Sequence, residues 1–146
     1  MPSTYLSLHY HVVFSTRNRE PTIASEWRAE LHEYFGGSIR GLGGRARSVG
    51  GVADHVHLLF DLKATHCLSD FMREVKKASS SWCREQSPKF AWQEGYSAFT
   101  VSATALDGVR KYIAHQEEHH RVKTFREELV EFLEKAGVEY DPKYLD

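Results

Sequence analysis

Two histidines one residue apart, His55 and His57, lie in the stretch HVHLLF. On a β-strand successive side chains alternate faces, so both imidazoles project from one side while Val56, Leu58, Phe60 and Leu62 form an apolar opposite face. Such a pair offers nitrogen lone pairs to a single metal ion, and Asp54 beside it is placed to orient a ring as a hydrogen-bond acceptor. The pair is one ligand short of a site. Further along, Tyr112 and Gln116 stand four residues apart in a segment of helical periodicity, which sets them one turn apart on one face. A phenol attacks phosphorus once a metal or base eases its deprotonation, and a glutamine carbonyl oxygen is a metal ligand. Taken singly these are ordinary residues. The chain has 9 histidines, and a second H-x-H pair, His9 and His11, is not ranked below the first by spacing alone. A hydrolytic metal site of His9 and His11 with His55 or His57 across adjacent strands is therefore an open alternative.

The elements that must carry these residues follow from periodicity. Residues 4–15 (TYLSLHYHVVFS) alternate, with Leu6, Leu8, Tyr10, Val12 and Phe14 against Tyr5, Ser7, His9, His11 and Val13, and predict a strand with one buried face. Ser25 to Arg40 has helical spacing of Trp27, Leu31, Tyr34, Phe35 and Ile39, with Ser25 as N-cap and glycines 41, 43 and 44 ending it. Residues 45–53 read as a glycine-weakened strand leading into 55–62, the Gly50-Gly51 pair marking a bulge, a turn or a close backbone approach. Leu68 to Gln86 is a second amphipathic helix, ended by Pro88. Residues 89–95 form a loop whose Phe90 and Trp92 serve as core or as base-stacking platforms, core being favoured. Residues 96–102 have strand character. Thr104 and Asp107 resemble a capping box opening a helix from Ala105 to His119, and Thr124 to Ala136 forms a last helix burying Phe125, Leu129, Phe132 and Leu133. The order β, α, β, β, α, β, α, α is closed most simply by an α+β, ferredoxin-like (RRM-like) antiparallel sheet with helices on one face and an additional C-terminal helix. A single domain over 1–146 is expected.

No apolar run reaches the ~18 residues of a membrane span and no signal sequence is recognisable, so a soluble, cytoplasmic protein without membrane partners is expected. Cys67 and Cys83 form no metal or disulfide motif. The net charge of −1 is unevenly spread: residues 1–123 carry 16 Lys and Arg against 13 Asp and Glu, the remainder 3 against 7. A mildly basic body supports phosphate contacts without demanding them. Arg17 and Arg19 clamp a phosphate or solvate a turn. With Lys76 and Lys77 on the wet side of the second helix, and His120 and Arg121 just after the third, they make up the candidate DNA contacts.

The blocks HYHVVFSTRNR, DHVHLLF, QEGYSAFTVS, KYIAHQEEHHR and GVEYDPKYL, in this order over nearly the whole chain, resemble the single-tyrosine HUH transposases of small bacterial insertion sequences, the insertion-sequence 200/605 type. The resemblance implies that His55 and His57 bind the metal, that Gln116 is the third ligand and that Tyr112 is the nucleophile. It implies Mg²⁺ or Mn²⁺ as cofactor and single-stranded DNA hairpins as substrate. Cleavage would leave a 5′-phosphotyrosine and a free 3′-hydroxyl, and the protein would be a homodimer with shared active sites. Because imidazoles suit transition metals, Mn²⁺ is expected to bind at least as well as Mg²⁺. The competing expectation is a non-catalytic single-stranded nucleic-acid-binding module with an RRM-like sheet; the first strand offers it histidines where such modules carry stacking aromatics.

Overall fold

The computed structural model describes residues 3–145. Its strands are β1 (His9–Ser15), β2 (Arg45–Gly51), β3 (His55–Asp61) and β4 (Ser97–Val101), and its α-helices α1 (Ser25–Gly41), α2 (Leu68–Gln86), α3 (Leu106–Ala114), α4 (Gln116–His119) and α5 (Phe125–Ala136). The sheet order is β2-β3-β1-β4 with every neighbouring pair antiparallel. This is the ferredoxin-like arrangement expected from the β-α-β-β-α-β order.

Register determines which residues share a face. β1 and β3 pair Val12 with Leu58 and Phe14 with Val56 on one side, and Val13 with His57 and Ser15 with His55 on the other. The first side is the main core, where Val12, Phe14, Val56, Leu58 and Phe60 pack against Leu31, Phe35 and Ile39 of α1 and Phe71, Met72 and Val75 of α2. Phe90 and Trp92 belong to this core, and the Trp92 indole N–H donates to Ser79 Oγ at 3.0 Å, so the 89–95 loop is a packed flap rather than a stacking platform.

The histidine side is covered as well. Val13 meets Phe125, Leu129 and Leu133 of α5, and Leu59 meets Leu106 and Ile113 of α3. The two ferredoxin-like helices thus share one face as expected, while the segments after β4 fold over the other and enclose the imidazoles. Gly50, opposite His57 on β2, makes the approach of α3 possible: a Cβ there would lie 2.5 Å from the carbonyl oxygen of Ile113. The glycine pair therefore marks a close backbone approach, and the backbone is the protein's own.

Three boundaries differ from the sequence reading. β1 begins at His9 rather than residue 4, because its partners end where His9 pairs with Asp61 and Val101; Tyr5 and Leu6, without a strand beside them, are exposed. The Thr104 capping box does not form, since residues 103–105 make a 3-10 turn and Thr104 pairs with Ser102 at 3.1 Å. A full capping box stands instead at Thr124 and Glu127, opening α5. The predicted 105–119 helix breaks at His115 (φ −108°, ψ 29°), where the imidazole donates back to the Lys111 carbonyl at 2.7 Å.

Candidate active site

The break at His115 divides the tyrosine helix so that Tyr112 lies in the last turn of α3 and Gln116 opens α4, and both side chains turn toward β3. Within one chain, His55 Nε2 lies 3.2 Å from Gln116 Oε1, and the rings of His57 and Tyr112 meet edge to face at 5.8 Å between centroids. The histidine pair, the tyrosine and the glutamine singled out by spacing are therefore brought together. His120, expected at the DNA, also turns inward: its Nε2 is 3.0 Å from Gln116 Oε1.

At the centre is Glu128 of α5, which sequence reasoning missed. Its carboxylate, 1% exposed, reaches His57 Nε2 at 3.0 Å, His55 Nε2 at 3.6 Å, His120 Nε2 at 3.2 Å and His119 Nε2 at 3.3 Å, and accepts the hydroxyl of Tyr112. Removing a carboxylate from water costs several kcal/mol unless charge and hydrogen bonds compensate, and these partners supply that compensation. A signal existed in the sequence. Phe125, Leu129 and Phe132 define the apolar stripe of the last helix, and position 128, three residues after the first and four before the last, falls inside it.

The remaining ring nitrogens fix how these groups face. His55 Nδ1 donates to Asp54 at 2.7 Å and His120 Nδ1 to the Lys123 carbonyl at 2.8 Å. Both acceptors are acceptors only, so in the neutral imidazoles the Nε2 lone pairs point inward. Gln116 donates its amide to the Tyr112 carbonyl at 3.2 Å, aiming Oε1 the same way. His11 Nε2, 2.8 Å from His57 Nδ1, is placed to accept that N–H and free His57 Nε2. Where these ring nitrogens carry protons they donate to Glu128; deprotonated, the same atoms offer lone pairs to an ion, and His55, His57, His120 and Glu128 place candidate ligand atoms within 4.8 Å of one another. The donor set fits a divalent metal.

Burial, against the pull of Glu128, pushes His57 down to about 4, and burial together with His57 pushes His11 down to about 3. His120 is raised despite burial because Glu128 bonds and attracts it. Glu128 is held below the ordinary carboxylate range, the bonds from His120 and His57 outweighing burial. Burial, then the Glu128 carboxylate, raises the Tyr112 phenol and keeps it protonated.

The alternative site of His9 and His11 with β3 histidines does not assemble. His9 Nδ1 bonds Asp61 at 2.6 Å, which also pairs with Arg47 at 2.7 Å, and His11 serves His57. Among the DNA-contact candidates, Arg19 lines a cleft of about 380 Å³ with Asp54, His120 and Lys123, next to the histidine and glutamate cluster, and Arg17 and Arg121 are exposed. Lys76 donates to the carbonyls of Gln93 and Gly95 at 2.7 and 2.6 Å and lies over the Phe14 ring. It tethers the 89–95 flap on the sheet face away from the histidines. Lys77 is exposed on the same helix.

The ferredoxin-like sheet thus presents an H-x-H pair to a tyrosine and a glutamine on helices folded across it. The family model for IS200-like transposases matches residues 4–116, and the chain belongs to that family. Among solved structures, the chain is similar to one described as a transposase of Deinococcus radiodurans R1, at 22% identity and a TM-score of 0.64 over 80% of this chain and 96% of that one. It is also similar to a REP-associated tyrosine transposase bound to a REP hairpin, at 17% identity and a TM-score of 0.61 over 82% and 74%. At these identities the likeness speaks for the fold. No curated protein matches the chain. Among the described residues no helix is long and apolar enough to cross a membrane.

Proposed function

We propose that this chain is a metal-dependent single-stranded DNA transposase that nicks and rejoins DNA at hairpin-containing ends through a 5′-phosphotyrosine. The observation that carries this reading is the convergence, in one chain, of the Tyr112 hydroxyl with the inward lone pairs of His55, His57 and Gln116. His55, His57 and Gln116 would hold Mg²⁺ or Mn²⁺, and the bound ion supplies Lewis-acid stabilisation of charge developing on the scissile phosphate.

The chain's own groups account for the rest. Tyr112 Oη gives up its proton and attacks phosphorus, the bond to the 3′ oxygen breaks, and that oxygen takes a proton from solvent, so the leaving strand departs as a 3′-hydroxyl. The phosphodiester energy is kept in the phosphotyrosine, so a 3′-hydroxyl attacking later re-forms a DNA linkage and releases the phenol. Glu128 and His119, both within hydrogen-bond reach of the phenol, are the groups that take its proton. Arg19 of the adjoining cleft, with the exposed Arg17 and Arg121, would contact backbone phosphates. The structure of a similar transposase with a REP hairpin supports a hairpin as substrate.

The competing binding-module reading requires an open sheet face on which bases stack, and here α3 and α5 cover that face. A homodimer, which the family resemblance implies, need not share its sites in this reading, because each subunit's Tyr112 already lies at its own histidines.

The test is incubation with single-stranded hairpin DNA and Mn²⁺ followed by a denaturing gel. Wild-type protein forms a protein-linked fragment; Tyr112→Phe and EDTA each abolish it while DNA binding persists. An adduct surviving in Tyr112→Phe would remove the tyrosine from its role. Mixing Tyr112→Phe with His57→Ala regains no adduct if each subunit completes its own site.

A further inference from the structure

Five candidate donors face one another, although the H-x-H and glutamine pattern requires three. Ligand atoms about 2.1 Å from one ion stand roughly 3.0 Å apart along the edge of an octahedron and 3.4 Å in a tetrahedron. The separations here are 3.0 Å from Glu128 to His57, 3.6 Å from Glu128 to His55, 3.2 Å from Glu128 to His120, 3.2 Å from Gln116 to His55 and 3.0 Å from Gln116 to His120. These are hydrogen-bond and ion-pair separations that neighbouring donors on one ion also show, and His55, His57, His120 and Glu128 each place a ligand atom within 4.8 Å of the others. The fourth and fifth donors are built in as firmly as the first three: Glu128 is buried by the stripe of α5, and His120 is held by the Lys123 carbonyl at the turn after α4.

Resting on the metal-dependent reading above, we propose that the ion is held by His55, His57, His120 and Glu128, and that Glu128 bridges the ion and the nucleophile. One oxygen, Oε1, faces His57 and His55; the other, Oε2, accepts the Tyr112 hydroxyl. A carboxylate shared in this way would hold the phenol beside the ion and tie α5 to the sheet when the metal is bound.

The chemical class of the ion follows from this donor set. Three imidazoles and one carboxylate suit a transition metal such as Mn²⁺, whereas Mg²⁺ favours oxygen ligands and keeps most of its waters. Gln116 Oε1, beside His55 and His120, would remain a further ligand.

The test is metal binding by the full-length protein without DNA, which separates this inference from the enzyme reading. A protein that binds metal as described yet forms no DNA adduct would sink the enzyme and leave the site standing. Calorimetric titration should show Mn²⁺ binding at least about 100-fold tighter than Mg²⁺, with Glu128→Gln and His120→Ala each weakening Mn²⁺ binding about 10-fold or more. Pulsed electron paramagnetic resonance of the Mn²⁺ form should count three coordinated imidazoles, falling to two in His120→Ala. Hydrogen exchange in residues 125–136 should slow on Mn²⁺ binding in the wild type and not in Glu128→Gln. The near-isosteric glutamine, checked for fold by circular dichroism, guards against misfolding as the cause. Two imidazoles in the wild type, or Mn²⁺ affinity and α5 protection unchanged in Glu128→Gln, would overturn the proposal.

Discussion

Each imidazole at the site is oriented by the hydrogen bond on its other nitrogen. Asp54 performs this for His55 from the adjacent position, at 2.7 Å, and its own carboxyl is held below the usual range because, against its burial, it bonds His55. Partners of this kind raise ligand basicity and lock ring orientation, and their loss typically weakens metal binding about 10–100-fold. Asp54→Ala is therefore expected to lower Mn²⁺ affinity by that factor while leaving the fold intact, as titration calorimetry and circular dichroism would show. An unchanged affinity would mean that the ring needs no outside support.

Between elements, the decisive contact is the one α3 makes on β2. Gly50 admits the carbonyl of Ile113, one residue after Tyr112, to a distance at which any side chain would collide. Gly50→Ala should cost about 1–3 kcal/mol through overpacking and should slow adduct formation by more than about tenfold, since small misplacements of a reacting group are expensive. Thermal unfolding and single-turnover rates measure the two effects, and DNA affinity should hardly change. This contact also shows how far the sequence could be read. Alternation in HVHLLF revealed which residues share a face, and the register places His55 and His57 as that alternation requires. The closing of that face was not legible, because the packing of α3 against Gly50 is a contact between segments more than sixty residues apart. The break at His115 has no breaker residue to announce it. Glu128 was hidden because its stripe was read from its apolar members alone, although a carboxylate among Phe125, Leu129 and Phe132 is the mark of a buried functional group.

For the whole molecule, the buried imidazoles tie stability to pH. Burial and its neighbour His57 push His11 down to about 3, burial and Arg28 push His32 down to about 4, and burial pushes His57 to about 4 against Glu128, all from an ordinary value near 6.5. Between these values the unfolded chain binds protons that the folded chain does not. Their contribution is thus fully present above about pH 6.5 and is lost as pH falls toward about 4. The metal-free protein should have a markedly lower urea midpoint near about pH 5 than near about pH 7.5, with Mn²⁺ raising the midpoint at the higher pH through its binding to the folded state. A midpoint flat across this interval would contradict the burial of these rings in neutral form.

The covalent link itself bears most directly on the account. Protein incubated with single-stranded hairpin DNA and Mn²⁺, digested with protease and nuclease and analysed by tandem mass spectrometry, should yield one nucleotide-bearing peptide, with a 5′-phosphate on Tyr112, absent when EDTA is added first. A nucleotide attached to another residue, or attachment to Tyr112 undiminished by EDTA, would contradict it.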